Sequence, residues 1–198
     1  KINKIDFNIN ALVSDVLPNE GERQVQTRLE DVRIDHRKRY EIASSLIKSN
    51  DRVLDIACGI GYGSYIMSLD HSSANITSVD ISEKTINFAK KHYKRTNINY
   101  ICENCLVVDF AEKSFDNIIT FETVEHIDEA FEFLSRMHKF LKDDGSIILS
   151  TPNQELLPFS KDANPYHVRH YTPDEITELV NKAGFKIEKV YSQPENHT

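Results

Sequence analysis

One stretch constrains the fold of this chain more than any other: "VLDIACGIGYGS", residues 53–64. A short apolar run ends in three glycines at alternate positions, Gly59, Gly61 and Gly63, and a helix-like segment follows through Met67. A strand that turns at once into a helix needs residues without a Cβ at the turn, and glycine supplies them. The same strand-then-helix order repeats along the sequence. Strands are expected over residues 52–57, 76–80, 98–103, 115–121, 146–151 and 186–192. Helices are expected from about Glu30 to Lys48, after the glycine turn, after Ser82 as N-cap, over residues 128–142, and after Thr172. The last helix carries Pro173 in its first turn and Gly184 at its end, and Asp143-Asp144-Gly145 reads as a turn.

Such alternation predicts an α/β fold: one doubly wound, mostly parallel sheet with helices on both faces. Residues 1–29 read as an irregular or short helical lead-in and residues 30–198 as a single domain. Ligands of such sheets bind beyond the carboxyl ends of the strands. Asp55 to Gly63, Asp80, Glu103 to Cys105, Glu122 and Ser150 to Asn153 all fall at those ends, so the fold gathers them along one rim.

Composition narrows the partners. A net charge of −7 weighs against nucleic acid or an anionic membrane, because phosphate binding needs concentrated Lys and Arg. The basic group Arg33, His36, Arg37, Lys38 and Arg39 reads as a solvated helix face. No apolar run approaches the ~20 residues of a membrane span. Three cysteines, Cys58, Cys102 and Cys105, suit a reducing compartment and make the cytoplasm the default location. Cys102-x-x-Cys105 has no second pair to complete a zinc site.

Asp80 ends the second strand, where a carboxylate can accept hydrogen bonds from both hydroxyls of a ribose. With the glycine turn it indicates an adenosine-type cofactor. The order Asp55-x-Ala57-Cys58-Gly59-x-Gly61-x-Gly63 resembles motif I of the class I S-adenosylmethionine-dependent methyltransferases, a Rossmann-like family that usually has Gly where this chain has Ala57. The resemblance extends over about residues 20–192. It implies S-adenosyl-L-methionine as cofactor, held by Asp55, Ala57, Gly59 and Gly61 at the turn, and by Asp80 and Ile81 at the ribose. It further implies Asn104 and Cys105 at the adenine, Phe121 at the end of the fourth strand, and Arg39 on the methionine carboxylate. It also implies one more, antiparallel strand after residues 186–192. Residues 194–198 are too few to supply it, so a truncated chain, or an edge strand from elsewhere, is expected.

The fourth strand ends abruptly in "FETVEHI". If a helical turn follows Phe121, Glu122, Glu125 and His126 share one face, a plausible half-site for a divalent metal. Glu-x-x-Glu-His, then Thr151-Pro152-Asn153, then a His shortly before Thr-x-x-Glu, resembles the small-RNA 3′-terminal 2′-O-methyltransferases and the O-methyltransferases of ubiquinone biosynthesis. Carried over, the metal ligands are Glu122, Glu125, His126 and His167, the ion is Mg²⁺ or Mn²⁺, and His126, His170 or Glu122 moves the acceptor's proton. "GERQVQ", "FETVEHI", "STPN" and "NPYHVRHYTPDEI" together resemble methyltransferases of polysaccharide and glycan assembly. That implies O-methylation of a sugar hydroxyl with a vicinal neighbour, on a nucleotide- or carrier-linked sugar. A catechol, an RNA 3′-terminal ribose, a metal-free histidine-base mechanism and a non-catalytic cofactor-binding module are the alternatives.

Overall fold

The computed structural model describes residues 26–192; all but the last four residues of the expected lead-in over 1–29, and the residues from 193 onward, lie outside them. Five strands form one sheet, all neighbours parallel: β1 (Arg52–Ile56), β2 (Asn75–Asp80), β3 (Ile98–Cys102), β4 (Phe115–Phe121) and β5 (Leu141–Ser150). Their order is β3-β2-β1-β4-β5, so the chain reverses direction across the sheet between β1 and β4. That reversal is the topological switch point, and it opens a crevice above the carboxyl ends of β1 and β4. Five α-helices flank the sheet: α1 (Ile34–Ser44), α2 (Tyr62–Asp70), α3 (Glu83–His92), α4 (Ala130–Phe140) and α5 (Pro173–Lys182). Short 3₁₀ turns occupy Leu29–Asp31 and Val124–His126.

The central strands are apolar on both sides because both sides are covered. Val53, Ile76 and Ile119 face α1 and α2, burying Tyr40, Ala43, Ile66 and Met67. Ile86 and Ala89 of α3 pack beside them against Cys58 and Tyr100. Leu54, Ile56, Val79 and Ile118 face the other way, against Phe133, Leu134, Met137 and Phe140 of α4, with Ile176, Leu179 and Val180 of α5 behind. The caps read from sequence form as expected. Ser82 accepts from the Thr85 N–H at 3.3 Å. Thr172 and Glu175 make a reciprocal capping box, with Pro173 in the first turn. Gly184 follows the last turn of α5 at φ +101.

Two expectations need correction. Asp143-Asp144-Gly145 does not end an element: β5 runs through it, and the irregularity is absorbed as a register jump in which Leu141 pairs with Phe115 but Ser146 with Asn117. Residues 186–192 form no strand. Among the described residues β5 has no neighbour on its outer side, and a strand exists only where its backbone groups find a partner. The apolar side chains of this segment are accordingly in solvent, Val190 at 79% and Tyr191 at 65% exposure.

Ala57 adopts φ +62, a left-handed conformation that costs an L-residue roughly 1–2 kcal/mol. This is the physical reason the related motif favours Gly there. Ala57→Gly relieves that cost against a backbone-entropy loss of about 0.4–1 kcal/mol. A net gain of up to about 1 kcal/mol in urea-unfolding stability is expected, whereas Ala57→Val lowers it.

Candidate active site

The glycine turn has two sides. On the inner side α2 lies close to its neighbours: a Cβ on Gly63 would stand 2.0 Å from the Tyr40 ring, and one on Gly61 2.6 Å from the Tyr100 hydroxyl. Those two glycines serve packing. Gly59, at φ +56, has no described residue within 4 Å of the place its Cβ would take. The open side of the turn, where a ligand can reach bare main chain, is therefore Gly59.

Asp80 holds this turn in place. Its two carboxylate oxygens accept from the Gly59 N–H at 3.0 Å and the Ser82 N–H at 2.9 Å. A carboxylate has about four acceptor positions, so capacity remains for ribose hydroxyls. Asp55 lies beneath, wholly buried, accepting from Ser64 Oγ at 2.5 Å and Tyr40 Oη at 3.2 Å. Burial pushes its carboxyl up to about 7 despite those two hydrogen bonds. Asp55 therefore braces the turn from behind. Sequence reasoning missed its partners; the signal available for Tyr40 was its place on the apolar face of the "RKRYEIA" helix.

The other expected cofactor residues lie around the same rim. Ile81 follows Asp80 and is exposed. Phe121 stands edge-on to Tyr40, ring centres 4.9 Å apart. Asn104 forms a local turn, its amide oxygen accepting from the Leu106 N–H at 2.9 Å, with one lone pair left for an adenine amino group. Burial raises the Cys105 thiol to about 11, which makes it an unreactive packing group. Cys102 is exposed and unbridged.

At the end of β4 the geometry departs from a single helical face. The turn begins only at Val124, and Glu122 precedes it with φ +49. That conformation turns Glu122 toward the glycine side: its Oε1 accepts from Ser150 Oγ at 2.6 Å and pairs with Arg39 Nη1 at 3.4 Å. Arg39 and Glu122, expected on a cofactor carboxylate and on a metal, thus hold each other. Glu125, His126 and His167 do converge, with one potential ligand atom from each within 4.8 Å of the others. Among the described residues Glu122 is not part of that group.

Glu125 is the centre of the cluster. It is 0% exposed. Its Oε2 accepts from Thr151 Oγ1 at 3.0 Å, while Oε1 has no hydrogen-bond partner among the described residues. Burial, then the nearby Glu122 charge, raises its carboxyl well above the usual range. The segment carrying His167 is fastened to the same residue, since the Val168 N–H donates to the Glu125 carbonyl at 2.7 Å. His126 uses Nδ1 on the Tyr166 carbonyl at 3.1 Å. His170 is only 3% exposed; its Nδ1 meets the Leu157 carbonyl at 2.7 Å and its Nε2 meets His167 Nδ1 at 2.6 Å. The expectation that His170 acts as a base on the acceptor is hard to sustain, because both ring nitrogens are engaged inside the protein.

The comparisons with known proteins agree with this architecture. A family profile described as "Methyltransferase domain" matches residues 47–184. A Mycolicibacterium smegmatis protein named "Probable S-adenosylmethionine-dependent methyltransferase" is 29% identical over 183 residues, covering 90% of this chain and 69% of its own length. The ubiquinone biosynthesis O-methyltransferase of Bradyrhizobium diazoefficiens is 34% identical over 111 residues, covering 55% of this chain and 43% of that protein. In fold, the S-adenosylmethionine-dependent methyltransferase from Mesorhizobium loti superposes with a TM-score of 0.67 at 16% identity, covering 76% of this chain and 83% of that one. The chain belongs to the methyltransferase-domain family and is an S-adenosylmethionine-dependent methyltransferase of class I.

Asp55 gives the site a pH signature. Its carboxyl is about 7 when folded against an ordinary 3.8, so between those values the folded state holds a proton that the unfolded chain has released. Stability contributed by this group falls as pH rises through that window. From pH 5 to pH 7 a loss of roughly 2 kcal/mol is expected from Asp55, and Asp55→Asn removes it. Denaturant titrations of both proteins at several pH values check this; an Asn variant with an unchanged slope contradicts it.

Proposed function

We propose that this chain is an O-methyltransferase acting on a small acceptor with two neighbouring hydroxyls, assisted by a divalent cation held by Glu125, His126 and His167. The observation that carries the reading is the fully buried Glu125 carboxylate, one oxygen of which has no hydrogen-bond partner among the described residues, set against two imidazoles. A buried carboxylate is stabilised by an opposite charge or by protonation. One carboxylate and two histidines are a donor set that a divalent ion satisfies. When bound, the cation, Mg²⁺ or Mn²⁺, lowers the pKa of an acceptor hydroxyl and fixes its orientation.

The chain's own residues do the rest. Asp80 takes the ribose hydroxyls of S-adenosylmethionine, Gly59 admits the cofactor against main chain, and Asn104 and Cys105 border the adenine. Asp55 and Tyr40 brace the turn that would hold the cofactor, which would favour one orientation for methyl transfer. Arg39 faces the cofactor's amino acid end. Glu122 is half-exposed at the end of β4 with Oε1 committed to Ser150 and Arg39. In this reading Glu122 takes the acceptor's proton, a role His170 is too enclosed to play.

Motif resemblance supports a sugar hydroxyl in glycan assembly, on a nucleotide- or carrier-linked sugar; the low, odd cysteine count favours a reducing compartment such as the cytoplasm. A second reading is a quinone-type diol. The similarity to the ubiquinone biosynthesis enzyme favours it. So do the exposed side chains of Leu157 and Tyr166, whose backbone carbonyls meet His170 and His126.

Methyl transfer to a panel of sugar and aromatic vicinal diols, assayed with chelator and with added Mg²⁺ or Mn²⁺, tests the proposal. Activity is expected to vanish in chelator and return with metal. Glu125→Gln is expected to lose at least about 100-fold in kcat/KM while binding S-adenosylhomocysteine as wild type, and Asp80→Ala to lose that binding. Full activity in excess chelator contradicts cation assistance.

A further inference from the structure

His170 and the backbone of Leu157 form an arrangement that the reaction itself does not require. The Leu157 carbonyl can only accept a hydrogen bond. At 2.7 Å from it, His170 Nδ1 must be the protonated nitrogen of that ring. In a neutral imidazole the other nitrogen is then an acceptor, which makes His170 Nε2 a lone pair. His167 Nδ1 lies 2.6 Å from that lone pair, so it carries the N–H that joins the two rings. The proton order follows residue by residue: the Leu157 carbonyl settles His170, and His170 settles His167.

We infer that His170 is a positioning residue that holds His167 in the Nδ1–H form, so that His167 Nε2 presents a lone pair to the cluster it shares with Glu125 and His126. The consequence for cation binding rests on the cation reading proposed above; the proton order does not. The alternative tautomer of His167 would put an N–H where a ligand lone pair is needed, and metal ligation by histidine depends on which nitrogen its other contact protonates.

The surroundings hold His170 in register. Its ring lies against Phe159 with centres 5.5 Å apart, and it is almost wholly buried. Lys161 Nζ donates to the His167 carbonyl at 2.9 Å, fixing the backbone between the two rings. His126 follows the same rule by a shorter route. Its Nδ1 meets the Tyr166 carbonyl, again a pure acceptor, so in the neutral ring the lone pair lies on Nε2. Two backbone carbonyls of one loop thereby set the tautomers of both histidines, one directly and the other through His170.

The test is a long-range ¹H–¹⁵N correlation spectrum of ¹⁵N-histidine-labelled, metal-free protein. His167 is expected to show a protonated Nδ1 and a lone-pair Nε2. In His170→Ala that preference is expected to collapse to a mixture, and affinity for Co²⁺, read from its visible absorption, to fall about 10–100-fold. Binding of S-adenosylhomocysteine stays unchanged. His170→Gln keeps an acceptor oxygen near the place of Nε2 and is expected to restore most of the tautomer preference and the Co²⁺ affinity. A protonated His167 Nε2 in the wild type, or an unaltered preference in His170→Ala, overturns the inference. If His170→Ala fails to fold, the wild-type spectrum and the Gln variant decide it. If the wild-type tautomer is as expected but Co²⁺ does not bind, the cation reading fails and the proton order stands.

Discussion

A carboxylate with no exposure to water, one of whose oxygens has no hydrogen-bond partner among the described residues, organises the end of β4 and the loop packed on it. Glu125 has its side chain against Thr151 and its carbonyl under the Val168 N–H, so the 3₁₀ turn after β4 and the loop before α5 are fastened to one residue. These contacts bring His126 and His167 together across about forty residues of sequence. Burying an uncompensated carboxylate is costly, and a fold tolerates it when a proton or cation completes the site. The raised Glu125 carboxyl is a direct consequence of that burial, with the nearby Glu122 charge adding to it.

The cofactor end depends on a different carboxylate, Asp80, which draws the Gly59 N–H and the Ser82 N–H toward one point. It thereby ties the loop after β1 to the loop after β2, one strand away from the switch point. Arg39 and Glu122 lie between the two ends, joined by an ion pair over the end of β4. Both side chains of that pair are partly buried.

Much of this was legible in the sequence, because period and turn chemistry are local. The alternation of apolar runs with capped amphipathic segments gave the parallel sheet, and Ser82, Thr172, Pro173 and Gly184 marked helix ends that formed as expected. Asp143-Asp144-Gly145 was misread because a register jump inside a strand carries the same residues as a turn. Residues 186–192 have strand-like composition, but a strand needs a neighbour, and that is a property of the sheet. At the site, Glu125 and His126 lie together as their spacing suggested, whereas Glu122 is outside that group among the described residues, since a left-handed φ at Glu122 breaks the helical face and no spacing rule anticipates it. The partners contributed by backbone, the Leu157 and Tyr166 carbonyls, leave no residue-type signal at all.

The account turns on whether Glu125, His126 and His167 hold a cation. The most direct measurement is an anomalous difference map from crystals grown with Mn²⁺ and S-adenosylhomocysteine. The account predicts one strong peak about 2.2 Å from Glu125 Oε1, His126 Nε2 and His167 Nε2. A map with cofactor density but no peak among these three residues contradicts it.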